Sequence, residues 1–212
     1  MRRHPVLAAA AVKDLDAVLL SHAHGDHLDP PSIRKLPGQP LVIAPAGLGA
    51  MLARRRVAHV SEIEVGDTIT VGSLAITAFA ADHDGRRTPV ATTRAAALGY
   101  LVRGSQSVYF AGDTGLHDDM AALAAEAIDV ALVPVAGWGP TLGPGHMDPR
   151  QAAVALTLLR PKVAIPIHWG TLAPIGSKPP TSAPAREFVA AAAELAPEVR
   201  CLVLEPGEES VL

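Results

Sequence analysis

A single cysteine, Cys201, occurs in 212 residues, and aromatic side chains make up only 3% of the chain. One thiol cannot close an internal disulfide, so folding needs no oxidising compartment. Cys201 lies in the apolar run VRCLVLE and reads as a small core residue. With so few rings, the core has to be built from Val, Leu, Ile and Ala at close quarters. Charge of one sign is lacking too: 18 Lys and Arg against 21 Asp and Glu leave −3. That balance argues for no polyanion-binding surface and against non-specific nucleic-acid affinity as the main business. No apolar run approaches the roughly 20 residues of a spanning helix. The opening MRRHPVLAAAAVKDLD is basic and then apolar, but its apolar part is short, alanine-rich and followed at once by KDLD, unlike a secretory signal. The expectation is a cytoplasmic protein with no membrane insertion.

What is present describes a folded chain. Hydrophobic residues make up 49% and the mean hydropathy is +0.26, values of a globular protein with a real core. The length suits one domain over residues 1–212, and 18 Gly and 19 Pro promise many turns. Short apolar runs alternate with helical stretches. DAVLL (16–20) and LVIA (41–44) read as strands, and PAGLGAMLARRR as a helix with Pro45 near its start. DTITVGSLAITAF reads as a hairpin around Gly72-Ser73, and LGYLVRG with SVYFA as a second one. Further on, LHDDMAALAAEA, DPRQAAVALTLLR and AREFVAAAAELA have helical spacing; DVALVPV, KVAIPIH and VRCLVLEPG read as strands. Hairpins followed by alternating helix and strand predict an α/β fold of stacked sheets with helices outside, an αββα sandwich.

The stretch SHAHGDHLD (21–29) crowds His22, His24, Asp26 and His27 into six positions. Buried histidines need partners, and several together repel when protonated, so something must compensate their grouping. The same chemistry recurs where other strands end: ITAFAAD runs into His83, SVYFAG into Asp113 and VAIPI into His168. In layered α/β folds, sites form at the edge where strand ends converge. Imidazole nitrogen and carboxylate oxygen are zinc donors, and one zinc takes three or four of them. Five histidines and two aspartates are too many for one ion and suit two, which can share a carboxylate and activate water between them. Manganese and iron also accept this donor set.

HAHGDH resembles the HxHxDH signature of the metallo-β-lactamase superfamily. FAADHDGR, YFAGDTG, DVALVPVAGWGP, GHMDPRQAA and AIPIHWGT follow in the family's order, so that the resemblance covers residues 16 to 172. These later segments are similar to the branch that holds the N-acylphosphatidylethanolamine-hydrolysing phospholipase D and the ascorbate-6-phosphate lactonases. The resemblance implies that His22, His24 and His83 hold one metal ion, that Asp26, His27 and His168 hold a second, and that Asp113 bridges them. Asp26 and His146 are the implied catalytic residues, with His146 at the rim beside the leaving group or substrate phosphate. It implies two zinc ions, and a hydroxide attacking a phosphodiester, a phosphorylated lactone or a related ester of a small molecule. The alternative is a metal-binding but inactive fragment or partner subunit, and a homo-oligomer fits either reading.

Several residues have plainer readings. Asp148-Pro149 is a helix start, with Asp148 as N-cap. His4, His59 and His117 read as solvated bystanders, and Arg54-Arg55-Arg56 as an exposed helix end. Arg86 and Arg87 face either an anionic substrate or solvent; Trp138 and Trp169 either line the pocket or pack in the core. Family members carry further strands ahead of the segment like DAVLL, where this sequence has fifteen residues; two accounts stay open, a fragment of a longer chain, which is the expectation, or a naturally short chain whose first sheet has an uncovered edge.

Overall fold

The computed structural model describes residues 2–3, 12–88, 91, 94–136, 142–173, 181–205 and 207–211. Its strands are β1 (Arg2–Arg3), β2 (Ala17–Leu19), β3 (Leu41–Pro45), β4 (Val60–Ile63), β5 (Thr68–Val71), β6 (Leu74–Ala80), β7 (Leu98–Arg103), β8 (Ser107–Phe110), β9 (Val130–Pro134), β10 (Val163–Ile167), β11 (Leu172–Ala173) and β12 (Arg200–Cys201). The helices are α1 (Pro30–Ile33), α2 (Gly49–Arg54), α3 (Pro149–Leu159) and α4 (Ala183–Leu195), with a 3-10 helix over Asp118–Glu126. Among the described residues no helix is long and apolar enough to cross a membrane.

A seven-stranded sheet runs in the order β12-β10-β9-β8-β7-β6-β5, and a three-stranded sheet in the order β2-β3-β4. The antiparallel half of the large sheet comes from the two expected hairpins, β5–β6 and β7–β8. From β8 onward the pairing turns parallel, because a helical segment intervenes before each next strand. The small sheet is wholly parallel. β1 and β11 form a separate antiparallel pair.

Period-two alternation decides which residues face which layer. Ile43 and Ile63 of the small sheet meet Ile76, Ala78, Leu98 and Tyr100 of the large one, forming the core between sheets. The outer face of the small sheet is covered around Leu48 and Leu52. The outer face of the large sheet presents Ala131 and Val133 to Ala152, Ala153, Leu156, Phe188 and Ala192 of α3 and α4. The alanine-rich composition serves this close approach of helix to sheet. Helix, sheet, sheet, helix is the expected αββα order.

Some elements differ from the sequence reading. Pro45 does not open a helix: it ends β3, opposite Ile63, at a strand terminus where a missing N–H is tolerated. The helix starts only at Gly49, where the Glu62 carboxylate accepts from the amides of Gly47 (2.6 Å) and Gly49 (2.8 Å). A side chain at Gly49 would meet that carboxylate at 2.6 Å. The LHDDMAALAAEA helix is 3-10 rather than α, and its buried residues, Met120 and Leu123, are three apart, as a three-residue turn requires. Among the described residues of VRCLVLEPG, only Arg200 and Cys201 pair as a strand, and Cys201, on the edge strand, is half-buried and packs against the helix-side core.

Candidate metal centre

The turn that carries His22 to His27 leaves β2 with its backbone groups already committed. The Leu20 amide donates to the Ile43 carbonyl (2.9 Å), and the Leu20 carbonyl accepts from the Tyr100 hydroxyl (2.7 Å). The Ser21 carbonyl accepts from the Leu98 amide (2.9 Å), and the Ala23 amide donates to the Gly85 carbonyl (3.1 Å). Both sheets therefore hold the turn. His24 accepts at its carbonyl from the amides of His27 (3.1 Å) and Leu28 (2.8 Å), a single helical turn that brings Asp26 and His27 round beside His22.

The other strand ends converge on the same place. Past β6, the Asp82 amide donates to Thr114 Oγ1 (3.0 Å) and its carbonyl accepts from the Gly115 amide (2.9 Å), which stitches the His83 segment to the Asp113 segment past β8. Gly112, at φ +65°, lets the Asp113 segment pass Ser21; a Cβ there would lie 2.9 Å from the Ser21 Cβ. His168 follows β10 directly and sits at φ +63°, a conformation that costs free energy outside glycine and recurs at functional sites.

All seven residues read as metal donors are brought together. His22 Nε2 lies 3.0 Å from His24 Nδ1, and His83 Nε2 lies 3.1 Å from that same Nδ1. Three ring nitrogens so arranged cannot all be satisfied by one another, since a hydrogen on His24 Nδ1 points one way only. A tetrahedral zinc about 2.0–2.1 Å from each nitrogen would space them by roughly 3.3 Å, close to what is seen. On the other side, Asp26 Oδ2 is 3.6 Å from His27 Nε2 and 3.8 Å from His168 Nε2. Asp113 lies between: its Oδ2 is 3.0 Å from His27 Nε2, 3.4 Å from His168 Nε2 and 3.9 Å from His22 Nε2. His27 Nε2 is buried, and the polar atoms beside it are these two carboxylates. Among the described residues four overlapping groups of three donors could each hold a metal ion: His22/His24/His83, His22/His27/Asp113, Asp26/His27/His168 and His83/Asp113/His146.

Carbonyl groups set the ring orientation. His83 Nδ1 donates to the Gly145 carbonyl (2.8 Å) and His168 Nδ1 to the Ala136 carbonyl (2.5 Å), so that each turns its Nε2 to the centre. Ser21 Oγ occupies His22 Nδ1 at 3.0 Å. Electrostatics divide the cluster. Burial, then the charge of His27, pushes His22 down to about 2. Burial also lowers His24 and His83. Burial opposes a charge on His168, but Asp26 and Asp113 raise it to about 9. Asp113 is held well below the usual carboxylate range: burial works against its ionisation, and the neighbouring imidazoles of His146, His27 and His168 outweigh it.

His146 stands nearer the centre than a rim position, with Nε2 3.6 Å from Asp113 Oδ2 and its ring 4.8 Å from that of His83. It is 21% exposed, so one edge still reaches solvent. The capping box that starts α3 fixes its placement: Asp148 accepts from the Gln151 amide (2.7 Å), and the Gln151 side chain accepts from the Asp148 amide (3.0 Å).

The arginines that follow His83 are both engaged within the chain. Arg86 pairs with Asp84 (2.7 Å), and Arg87 turns inward to backbone carbonyls. Trp169 is half-buried against the helix-side core and donates to the Pro166 carbonyl (2.8 Å). His59 and Arg54 to Arg56 are exposed, whereas His117 departs from the solvated reading, since its Nε2 is buried without a partner. His4 and Trp138 lie outside the described residues. Sequence reasoning missed the supporting groups Ser21, Gly85, the Gly145 carbonyl and Thr114, and it did not foresee that Arg87 turns inward. Of these only Gly145 carried a signal, a glycine in a Gly/Pro-rich loop next to a candidate histidine; its φ is +72°, and a Cβ there would lie 2.9 Å from His83 Nδ1.

The model of a β-lactamase superfamily domain matches residues 1–169. A UPF0173 metal-dependent hydrolase of Methanopyrus kandleri is 40% identical over 205 residues, covering 92% of this chain and 81% of the relative. One of Nitratidesulfovibrio vulgaris is 34% identical over 219 residues, covering 99% and 84%. Among solved structures, Igni18, a metallo hydrolase of Ignicoccus hospitalis, superposes with a TM-score of 0.71 at 27% identity, over 91% of this chain and 77% of that one.

Proposed function

The chain belongs to the β-lactamase superfamily, among the UPF0173 metal-dependent hydrolases, and on that premise we propose that it is a dinuclear zinc hydrolase acting on a phosphodiester, a phosphorylated lactone or a related ester. One observation carries the dinuclear reading. Two sets of three donors, His22/His24/His83 and Asp26/His27/His168, flank a carboxylate oxygen of Asp113 that faces donors of both. Bound zinc lowers the pKa of water to about 7 and polarises the oxygen of the scissile group, which is what such a reaction needs at neutral pH.

The chain's own residues divide the remaining work. Asp113 and Asp26 supply the negative charge that offsets two dications in a buried site. The carbonyls of Gly145 and Ala136 keep His83 and His168 in one orientation, so no reorganisation is needed during turnover. His146 takes a different part. The Asp113 carboxylate beside it, against the effect of burial, raises its proton affinity. Partly exposed, it can offer its Nε2 hydrogen to a phosphoryl or ester oxygen, or to the departing oxygen.

Elemental analysis of the purified chain tests the reading: about two ions per chain are expected, with zinc predominant. His24→Ala and Asp113→Ala should lose metal and hydrolysis together, whereas full activity in either variant would overturn the assignment. A panel of bis-p-nitrophenyl phosphate against simple lactones separates phosphodiesterase from lactonase. Tight metal without turnover on any of these esters would favour a binding role.

A further inference from the structure

Arg87 has no role in the chemistry proposed above, yet it lies against the stretch from Ala23 to Leu28, which carries three of the seven donors. Its Nη1 donates to the Ala23 carbonyl at 3.2 Å and also to the Leu28 carbonyl. These carbonyls bracket the turn: Ala23 sits between His22 and His24, and Leu28 directly follows His27. Ala23 and Leu28 are buried, at 1% and 0% exposure. One nitrogen with two hydrogens thus joins the beginning and the end of a segment containing His24, Asp26 and His27.

The neighbouring residue completes the attachment. Gly85 accepts the Ala23 amide at its carbonyl, so both backbone groups of Ala23 are held by the segment that follows His83. Gly85 itself is pressed against the chain before β7, where a Cβ would lie 2.2 Å from the Ala95 carbonyl oxygen. That strap is therefore anchored on the large sheet. A cation is an unfavourable neighbour for two metal ions, since like charges repel. Its presence is explained by the hydrogen bonds: the planar, permanently charged guanidinium directs fixed N–H groups at two buried carbonyls.

We infer that Arg87 is a positioning residue of the metal centre: it closes the ligand turn from behind and holds His24, Asp26 and His27 in the geometry that receives two ions. This rests on the reading of these residues as metal donors. The turn supplies two of the three donors of the Asp26/His27/His168 set and one of the other set. Loss of Arg87 therefore weakens the Asp26 side more.

Zinc titration against a chromophoric chelator tests this on wild type, Arg87→Ala, Arg87→Lys and Arg86→Ala. Arg87→Ala is expected to weaken zinc binding about 10- to 100-fold, the range for residues that orient ligands, and more at one site than at the other. Saturating zinc should restore most of kcat on an ester substrate, and added methylguanidinium should recover part of the affinity. Arg87→Lys should fall between Arg87→Ala and wild type, and Arg86→Ala, whose arginine is engaged with Asp84, should match wild type. Wild-type affinity in Arg87→Ala would overturn the inference, as would an equal loss in Arg86→Ala. If Arg87→Ala fails to fold, Arg87→Lys decides, and wild-type zinc affinity in that folded variant counts against Arg87. No zinc uptake by the wild-type chain itself would instead overturn the metal-site reading, and this inference with it.

Discussion

Tyr100 donates its hydroxyl hydrogen to the Leu20 carbonyl at 2.7 Å, across the interface of the two sheets. Both residues are buried, at 0% and 4% exposure. Leu20 directly precedes the turn with the histidine cluster, so one of the few aromatic side chains in the protein fixes where the small sheet delivers its ligands. The ring contributes to the core while its oxygen satisfies a carbonyl that has left the strand ladder.

Replacing Tyr100 with phenylalanine keeps the ring and strands the carbonyl. An unsatisfied buried acceptor costs about 1–3 kcal/mol. A chain of this size loses roughly 2–4 °C in Tm for each kcal/mol. The melting midpoint of metal-free Tyr100→Phe should therefore drop by several degrees while its far-UV spectrum stays native. An unchanged midpoint would mean that the hydrogen bond contributes nothing to the interface.

Gly145→Ala should act on metal rather than on the fold. At φ +72° the new methyl group is strained, and it would lie 2.9 Å from His83 Nδ1 and 2.8 Å from the Asp82 carbonyl oxygen. The carbonyl that orients His83 must move, and zinc affinity should fall about tenfold or more. Gly66→Ala is the control, since Gly66 has φ +90° with nothing within 4 Å of the added carbon. It carries backbone strain without crowding, and its zinc affinity should equal that of wild type. Equal losses in the two variants would attribute the effect to strain alone.

Zinc uptake should depend on pH at one half of the centre and much less at the other. Burial leaves His22, His24 and His83 neutral at pH 7, so they bind without giving up protons. His168, raised to about 9 by Asp26 and Asp113 against burial, must lose a proton first. Its folded-state value lies above the ordinary 6.5, so protonation stabilises the metal-free fold fully below pH 6.5, and that stability is lost as pH rises through 9. Metal competes with this proton. Affinity of the Asp26/His27/His168 set should therefore climb by up to tenfold per pH unit between 6.5 and 8.5, while that of the His22 set stays nearly flat. Calorimetry in two buffers of different ionisation enthalpy would read the proton release directly; identical pH profiles for both ions would refute the division.

Much of this centre was legible in the sequence, because strands that end in polar donors are a local pattern. DAVLL before His22 and VAIPI before His168 carry both signals in one stretch, apolar run and ligand. Asp148-Pro149 is equally local, and it does start α3. The parallel pairing of β2, β3 and β4 was not legible, since VSEI at 60–63 is short and mixed and its partner lies across an intervening helix. The inward contacts of Arg87, which the sequence suggested only as facing substrate or solvent, were hidden for a related reason. A guanidinium aimed at backbone carbonyls leaves no mark in the residues it serves, because every residue has a carbonyl. The 3-10 form of Asp118–Glu126 likewise depends on which residues the core receives, and alanine-rich sequence leaves that open.

His22 and His168 both lie against Asp113 Oδ2, at 3.9 and 3.4 Å, although they are far apart in the chain and come one from each sheet. An unfolded chain presents isolated imidazoles but never this convergence, because closing so long a loop is costly until both sheets have docked. Metal then rewards only the finished molecule. Its influence falls on the route out of the native state rather than on the route in: zinc should leave the refolding rate almost untouched and prolong the lifetime of the folded protein.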